Sequence, residues 1–238
     1  MRMGEIVIAR RFNGPANSGN GGIVAGRVAE FIDGPAEITL RAPVPLDVKL
    51  VVERDHHGVL RLEHEGTLLI EARATAFDLD VPAPPTWQEA ERLSAHGGSF
   101  ADSAFNTCVV CGRGRAAGEA LRVWADRLPD RPQSFAAWIP DPRLADEDGF
   151  LPLAYLWGAL DCPGAVAVLA ADDERTVLTG RMAGHAIKRV RGGERCIVLG
   201  WMIGEQGRKL YSGTAVFNEA GEICAKAIVT WIVLKNPL

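Results

Sequence analysis

The sequence predicts an α+β protein in which a helix followed by an antiparallel meander occurs twice. Three observations predict it. Residues 22 to 32, GIVAGRVAEFI, place Ile23, Val24, Val28, Phe31 and Ile32 on one helical face, and strand-like runs follow as far as residue 77. Phe150 to Gly164, FLPLAYLWGALDCPG, is a second apolar helix, again followed by strand-like runs, here to residue 234. The last strand of each half also matches at residue level. Gly66 to Thr75 lies over Gly221 to Thr230, sharing the turn glycine, an alanine and the threonine.

Taken in order, residues 4 to 12 read as a short strand with Ile6 and Ile8 alternating against Val7 and Ala9. A polar, Gly-rich loop at 13 to 22 ends in Asn20, a candidate N-cap, and Gly21-Gly22 then open the first helix. Beyond the Gly34-Pro35 break come strands at Ala36 to Ala42, Leu46 to Arg54, Val59 to His64 and Thr67 to Phe77, with His56 and His57 at a hairpin tip. Residues 84 to 104 combine prolines, a short amphipathic patch at Trp87 to Leu93, and Gly and Ser around His96. They read as a linker between units at 1 to 83 and 105 to 238, with His96 a surface residue. The second unit offers strands at Ala120 to Ala125 and Phe135 to Ile139, an acidic loop at 140 to 149, and the apolar helix. Four further strands follow, at Thr176 to Ile187, Glu194 to Gly204, Leu210 to Phe217 and Ile223 to Leu234.

Composition excludes several function classes. At 238 residues and 47% hydrophobic, the chain has ample material for a core. Its 26 basic and 30 acidic residues give a net charge of -4, with no basic cluster interleaved with aromatics, so nucleic-acid binding is not expected. No run approaches the length of a membrane span and the first residues lack a signal-peptide core, so the reading is a cytoplasmic protein. Five cysteines, an odd set partly in apolar segments, do not suggest a disulfide framework. Cys108 and Cys111 supply only two of the four ligands that a structural zinc needs; either His96 and Cys162 complete the set or the pair is only a turn.

Asp161 is the one acid in the second helix, and burying it requires a polar partner. Two readings are open: a structural carboxylate that tethers a loop, or a general base in a dry site. Pro163 cannot donate to the Ala159 carbonyl, which adds negative potential near the acid. At the head of the first helix, the N–H groups of Gly21 and Gly22 either offer donors to a carbonyl oxygen or anion, or only form a turn.

The pattern resembles the hotdog fold, and two copies in one chain resemble the double-hotdog acyl-CoA thioesterases. Asn20 to Gly26 (NGGIVAG), Arg41 to Pro45 (RAPVP), Cys108 to Gly112 (CVVCG) and Leu156 to Asp161 (LWGALD) carry the resemblance. It implies a long helix wrapped by a curved antiparallel sheet in each repeat, acyl-CoA or a related thioester as substrate, and neither cofactor nor metal; the edges that each sheet leaves to cover suggest a homo-oligomer. It also implies that Asp161 orients the hydrolytic water, that Asn20 and Gly22 act at the reacting carbonyl, and that Asn17 and Gly21 shape its site. A hydroxyl residue on the next strand would be Thr179. The family's glutamine near the end of the last strand is replaced here, with Thr230 at the matching place. Small Gly158, on one face with Ala154 and Asp161, would leave room for an acyl chain or a neighbouring strand. Lys188, Arg189 and Arg191, the dense basic run, either receive the phosphates of coenzyme A or form the solvated face of a hairpin turn. The alternative is an acyl-CoA or fatty-acyl binding protein that uses the same cavity without hydrolysis.

Overall fold

The computed structural model describes residues 1–96, 104–170 and 173–236, with the His96 side chain outside the described part. All eleven strands form one antiparallel sheet: β1 (Arg2–Val7), β2 (Ala36–Leu40), β3 (Lys49–Arg54), β4 (Leu60–His64), β5 (Thr67–Ala74), β6 (Asp126–Arg127), β7 (Gln133–Trp138), β8 (Val177–Ala186), β9 (Cys196–Gln206), β10 (Lys209–Phe217) and β11 (Ile223–Val233). Their order is β1-β3-β4-β5-β2-β8-β11-β10-β9-β7-β6. Read outward from the central β2–β8 pair, each side continues with the last strand of its half and then the strands before it in reverse. The central pairing is short, Ala36 to Thr39 against Gly184 to Arg181.

The matched strand ends are β5 and β11, as their sequences suggested. Gly66 and Gly221 open them at φ +76° and +75°, a left-handed turn conformation that glycine adopts without the Cβ penalty.

Helix α1 (Gly21–Ala29) is shorter than its apolar pattern, ending before Phe31 and Ile32. Asn20 caps it as expected, its Oδ1 accepting from Ile23 N at 3.0 Å. The expected helix over Phe150 to Gly164 is two helices, α3 (Leu153–Ala159) and α4 (Cys162–Val168), with α2 (Trp87–His96) earlier in the chain. The break falls at Leu160-Asp161. Pro163 has no N–H for the Ala159 carbonyl but suits the first turn of a new helix, so the chain restarts instead of continuing.

Residues Ala120 to Ala125 are not a strand. Leu121, Val123 and Ala125 do point into the core, which accounts for their alternation. Arg122, however, sits at φ 58°, and the segment is pinned by Leu121 N to Val109 O and Val123 N to Val110 O, 2.8 Å each.

Helices α1, α3 and α4 pack on one face of the sheet, within the larger apolar core. Alternate residues of β9 and β10, among them Leu199, Trp201 and Ala215, point to the other face. There Phe77, Leu79, Ala90 and Leu93 cover them, so the segment expected as a linker contributes a layer of its own. The Ser94 hydroxyl ties α2 to β7 by accepting from Ala137 N at 2.8 Å.

Candidate active site

The site begins with a close approach of α1 and α3. A Cβ at Gly22 would collide with the Trp157 carbonyl oxygen and come within 2.8 Å of Asp161 Cβ, and one at Gly26 would strike the Ala154 backbone. Glycine at both positions lets the helices nearly touch. That contact brings the N-terminus of α1 to the α3–α4 break.

Asp161 is 3% exposed and meets three donors there. Its Oδ2 accepts from Asn20 Nδ2 at 2.9 Å and Gly22 N at 3.1 Å; its Oδ1 accepts from Thr179 Oγ1 of β8 at 2.7 Å. All three are uncharged. Burial therefore prevails, pushing the carboxyl up to about 6, while the Thr179 and Gly22 hydrogen bonds pull the other way and charge on Cys108 adds to the rise. The result is a carboxylate with retained basicity, with an acceptor direction on Oδ1 left over for water.

Asp161, Asn20, Gly21 and Thr179 border a cavity of about 940 Å³, whose walls are largely apolar, with Val44, Val166, Leu169 and Trp231 among them. This volume suits a small organic ligand or an acyl chain. Among the described residues, the Gly21 N–H at the helix head makes no hydrogen bond. A Cβ at Gly21 would lie 2.6 Å from Thr179 Oγ1, so glycine is needed there too.

Beside Asp161 lie three buried cysteines, Cys108, Cys111 and Cys162, with Cys108 and Cys162 Sγ 3.9 Å apart. Hydrogen bonds from the Cys111 and Cys162 thiols hold Cys108 below the usual thiol range.

Several expected site residues stand elsewhere. The N–H of Gly22 is taken by Asp161, so it cannot also receive a substrate carbonyl. Asn17 is exposed in a turn whose Ser18 N bonds Pro15 O; the amides that this loop buries are Asn13, which donates to Thr107 Oγ1, and Asn20. Gly158 faces Ile23 and Leu121, so its open side holds α1 and not a ligand. Thr230 pairs with Tyr211 and Arg181 in the sheet, and its neighbours Trp231 and Ile232 line the cavity in its place.

The basic run is also away from the cavity. Lys188 pairs with Glu222 at 2.6 Å, Arg189 bonds Asp146, and Arg189 and Arg191 both lie over the Phe150 ring. The cavity-lining cations are Arg41, Arg127 and Arg175. Of these, Arg127 closes the end of α4, its Nη1 donating to Ala167 O at 2.8 Å and Leu169 O at 2.7 Å. Their isolation in sequence gave no sign of this convergence.

No family model and no curated protein sequence matches the chain. Among solved structures it is similar to a conserved protein of unknown function with hot dog fold from Alicyclobacillus acidocaldarius, at 12% identity and TM-score 0.61, covering 98% of this chain and 93% of that one. It is similar to the tesB protein of Mycobacterium avium subs paratuberculosis, at 13% identity and TM-score 0.59 over 92% of this chain and 89% of that one. A third, assigned as a thioesterase II from Thermobifida fusca YX, gives 13% identity and TM-score 0.59 over 97% and 92%. At such identities the likeness speaks for architecture and not for activity: this chain has the hotdog fold.

Proposed function

We propose that the chain is an acyl thioester hydrolase built from two tandem hotdog units, residues 1 to 83 and 105 to 238, joined by 84 to 104. The observation that carries this reading is the buried Asp161 carboxylate held by Asn20, Gly22 and Thr179 at the wall of the cavity. Asp161 Oδ1 accepts from a water and takes its proton as that water attacks the thioester carbonyl. The Gly21 N–H, at the positive end of α1, supports the oxyanion that develops; its collapse breaks the C–S bond, and the proton held by Asp161 passes to the leaving sulfur, which gives the free acid and thiol. The acyl chain lies along the apolar wall formed by α4 and β11. Thioesterase assignments of structures with this fold support the substrate class without fixing it.

A second reading, acyl-CoA or fatty-acyl binding without turnover, is favoured by one observation. Thr230, which would have to replace the family's glutamine, lies outside the cavity. Thiol release from acyl-CoAs of graded length, measured for the native chain and for Asp161→Asn, separates the two. Hydrolysis is expected for the native chain and its loss in the variant. Binding with no thiol release by the native chain would establish the second reading, and turnover that survives Asp161→Asn would remove the role given to this acid.

A further inference from the structure

We propose that Cys108, Cys111 and Cys162 form a three-thiolate site for one zinc-like divalent cation at the wall of the cavity. The three sulfur atoms lie within 4.8 Å of one another, and Cys108 and Cys162 Sγ are 3.9 Å apart. Zinc bonds thiolate sulfur at about 2.3 Å, so two ligands of a tetrahedral site stand about 3.8 Å apart. The Cys108–Cys162 pair already has that separation, and Cys111 Sγ lies within 4.8 Å of both.

The ligands arrive from two separate parts of the chain. Cys108 and Cys111 belong to one tight turn, closed by Gly112 N donating to Cys108 O at 2.9 Å. A Cβ at Gly112 would come within 2.7 Å of Cys108 N, so the turn needs glycine in that place. Val109 N bonds Asn13 O, and Leu121 N bonds Val109 O, both at 2.8 Å, which holds the turn against the core. Cys162 opens α4 and meets this turn from the other side.

Cys108 Sγ also receives Val110 N at 3.4 Å and Asn20 Nδ2 at 3.7 Å. N–H donors of this kind orient and support a metal-bound thiolate. Apolar packing of neutral thiols accounts for Cys196 and Cys224, which are buried outside the cluster. It does not account for three sulfurs gathered at ligand spacing with backbone and amide donors aimed at one of them. A sulfur-only set selects zinc or a similar soft cation over magnesium or calcium. Three protein ligands leave a fourth position, and because all three cysteines border the cavity, water or a cavity ligand supplies it. This site does not depend on the role given to Asp161.

The test is titration of the full-length reduced chain with cobalt(II) alone, followed by displacement with zinc(II). Uptake of one cobalt per chain is expected, with a thiolate-to-cobalt charge-transfer band and the visible bands of tetrahedral cobalt, all abolished by zinc. Cys111→Ser and Cys162→Ser should lose the band, and Cys196→Ser should keep it, with circular dichroism reporting the fold of each. A native chain that gives no charge-transfer band overturns the site, and this result stands even if the serine variants fail to fold. Folded Cys162→Ser that takes up cobalt like the native chain overturns it as well. So does a Cys108–Cys111 or Cys108–Cys162 disulfide in freshly isolated protein, seen by mass spectrometry without reductant, which would make the cluster a redox pair.

Discussion

Glu30 follows α1 and Asp161 separates α3 from α4, so each acid stands at the end of the first helix of its half, in opposite surroundings. Glu30 remains partly exposed and pairs with Arg27 at 3.0 Å. Burial raises its carboxyl above the usual range, and the Arg27 guanidinium offsets only part of that rise. Asp161 is buried among uncharged donors, which hold it in place without neutralising its charge. A carboxylate matched by a cation is a structural group, whereas one met only by neutral dipoles keeps its affinity for a proton. Two acids at comparable helix ends thus stand in contrasting surroundings, and under the proposed function only Asp161 serves as a base.

The largest expected effect tests that contrast on activity. Asp161→Asn should lower kcat/KM for thiol release by about 10²–10⁴-fold, the range for removing a general base. Glu30→Gln should stay within about twofold of the native chain. Equal effects from the two substitutions would erase the distinction.

Stability should move the other way. In the metal-free chain the folded-state value of Asp161, about 6, lies above the unfolded value near 3.8, so the neutral acid is the form that the fold favours. This contribution is complete below about pH 4 and is lost as pH rises through about 6, reaching about 3 kcal/mol at 1.36 kcal/mol per pKa unit. Asn keeps an acceptor for Asn20 and Gly22 and presents its amide to the Thr179 oxygen. Asp161→Asn should thus be at least as stable as the native chain at pH 8, and denaturant unfolding at pH 4 and pH 8 should show a flatter profile. A variant markedly less stable at pH 8 would mark Asp161 as a structural carboxylate.

Next in size is the helix contact that creates the site. Gly22→Ala places a methyl against the Trp157 backbone, where no side chain can swing away, and should cost about 1–3 kcal/mol. That corresponds to a fall in Tm of several degrees for a chain of this length. Gly204→Ala on β9, with nothing within 4 Å of the new methyl, should change stability by no more than about 0.5 kcal/mol. Thermal unfolding of the pair shows whether α1 and α3 must approach this closely.

The features legible in the sequence were those written in local pattern. The order of helix and strands, the left-handed turn glycines at 66 and 221, the Asn20 cap and the lone acid are all short-range signals. What escaped depended on distant partners. The basic run looked available for phosphate because the sequence does not show Asp146 and Glu222 folding onto it. Small residues at Ala154 and Gly158 marked a close approach, but whether helix or ligand came close was decided by Gly22 and Gly26 on another element. Likewise, Pro163 fits both a kinked helix and the first turn of a new one. The backbone of Asp161, at φ −79° and ψ −84°, settled the matter as a break.

The finest distinction concerns the two threonines. Thr179 donates to Asp161 Oδ1, favouring the charged form, while Thr230 lies in the sheet away from the cavity. Thr179→Val removes the donor with little change of shape, so the Asp161 carboxyl should rise further. Because the base must be charged to accept a proton from water, activity grows with pH through its pKa, and the native profile should climb around pH 6. In Thr179→Val the midpoint should move upward by about one unit, the equivalent of a hydrogen bond of 1.4 kcal/mol. Thr230→Val should leave the midpoint in place. Profiles of kcat/KM between pH 5 and about pH 9 for the three proteins, each freed of metal by a chelator, decide the matter. A midpoint unmoved by loss of the Thr179 hydroxyl would mean that the ascending limb belongs to another group, and a shift in Thr230→Val would place that threonine in electrical contact with the site after all.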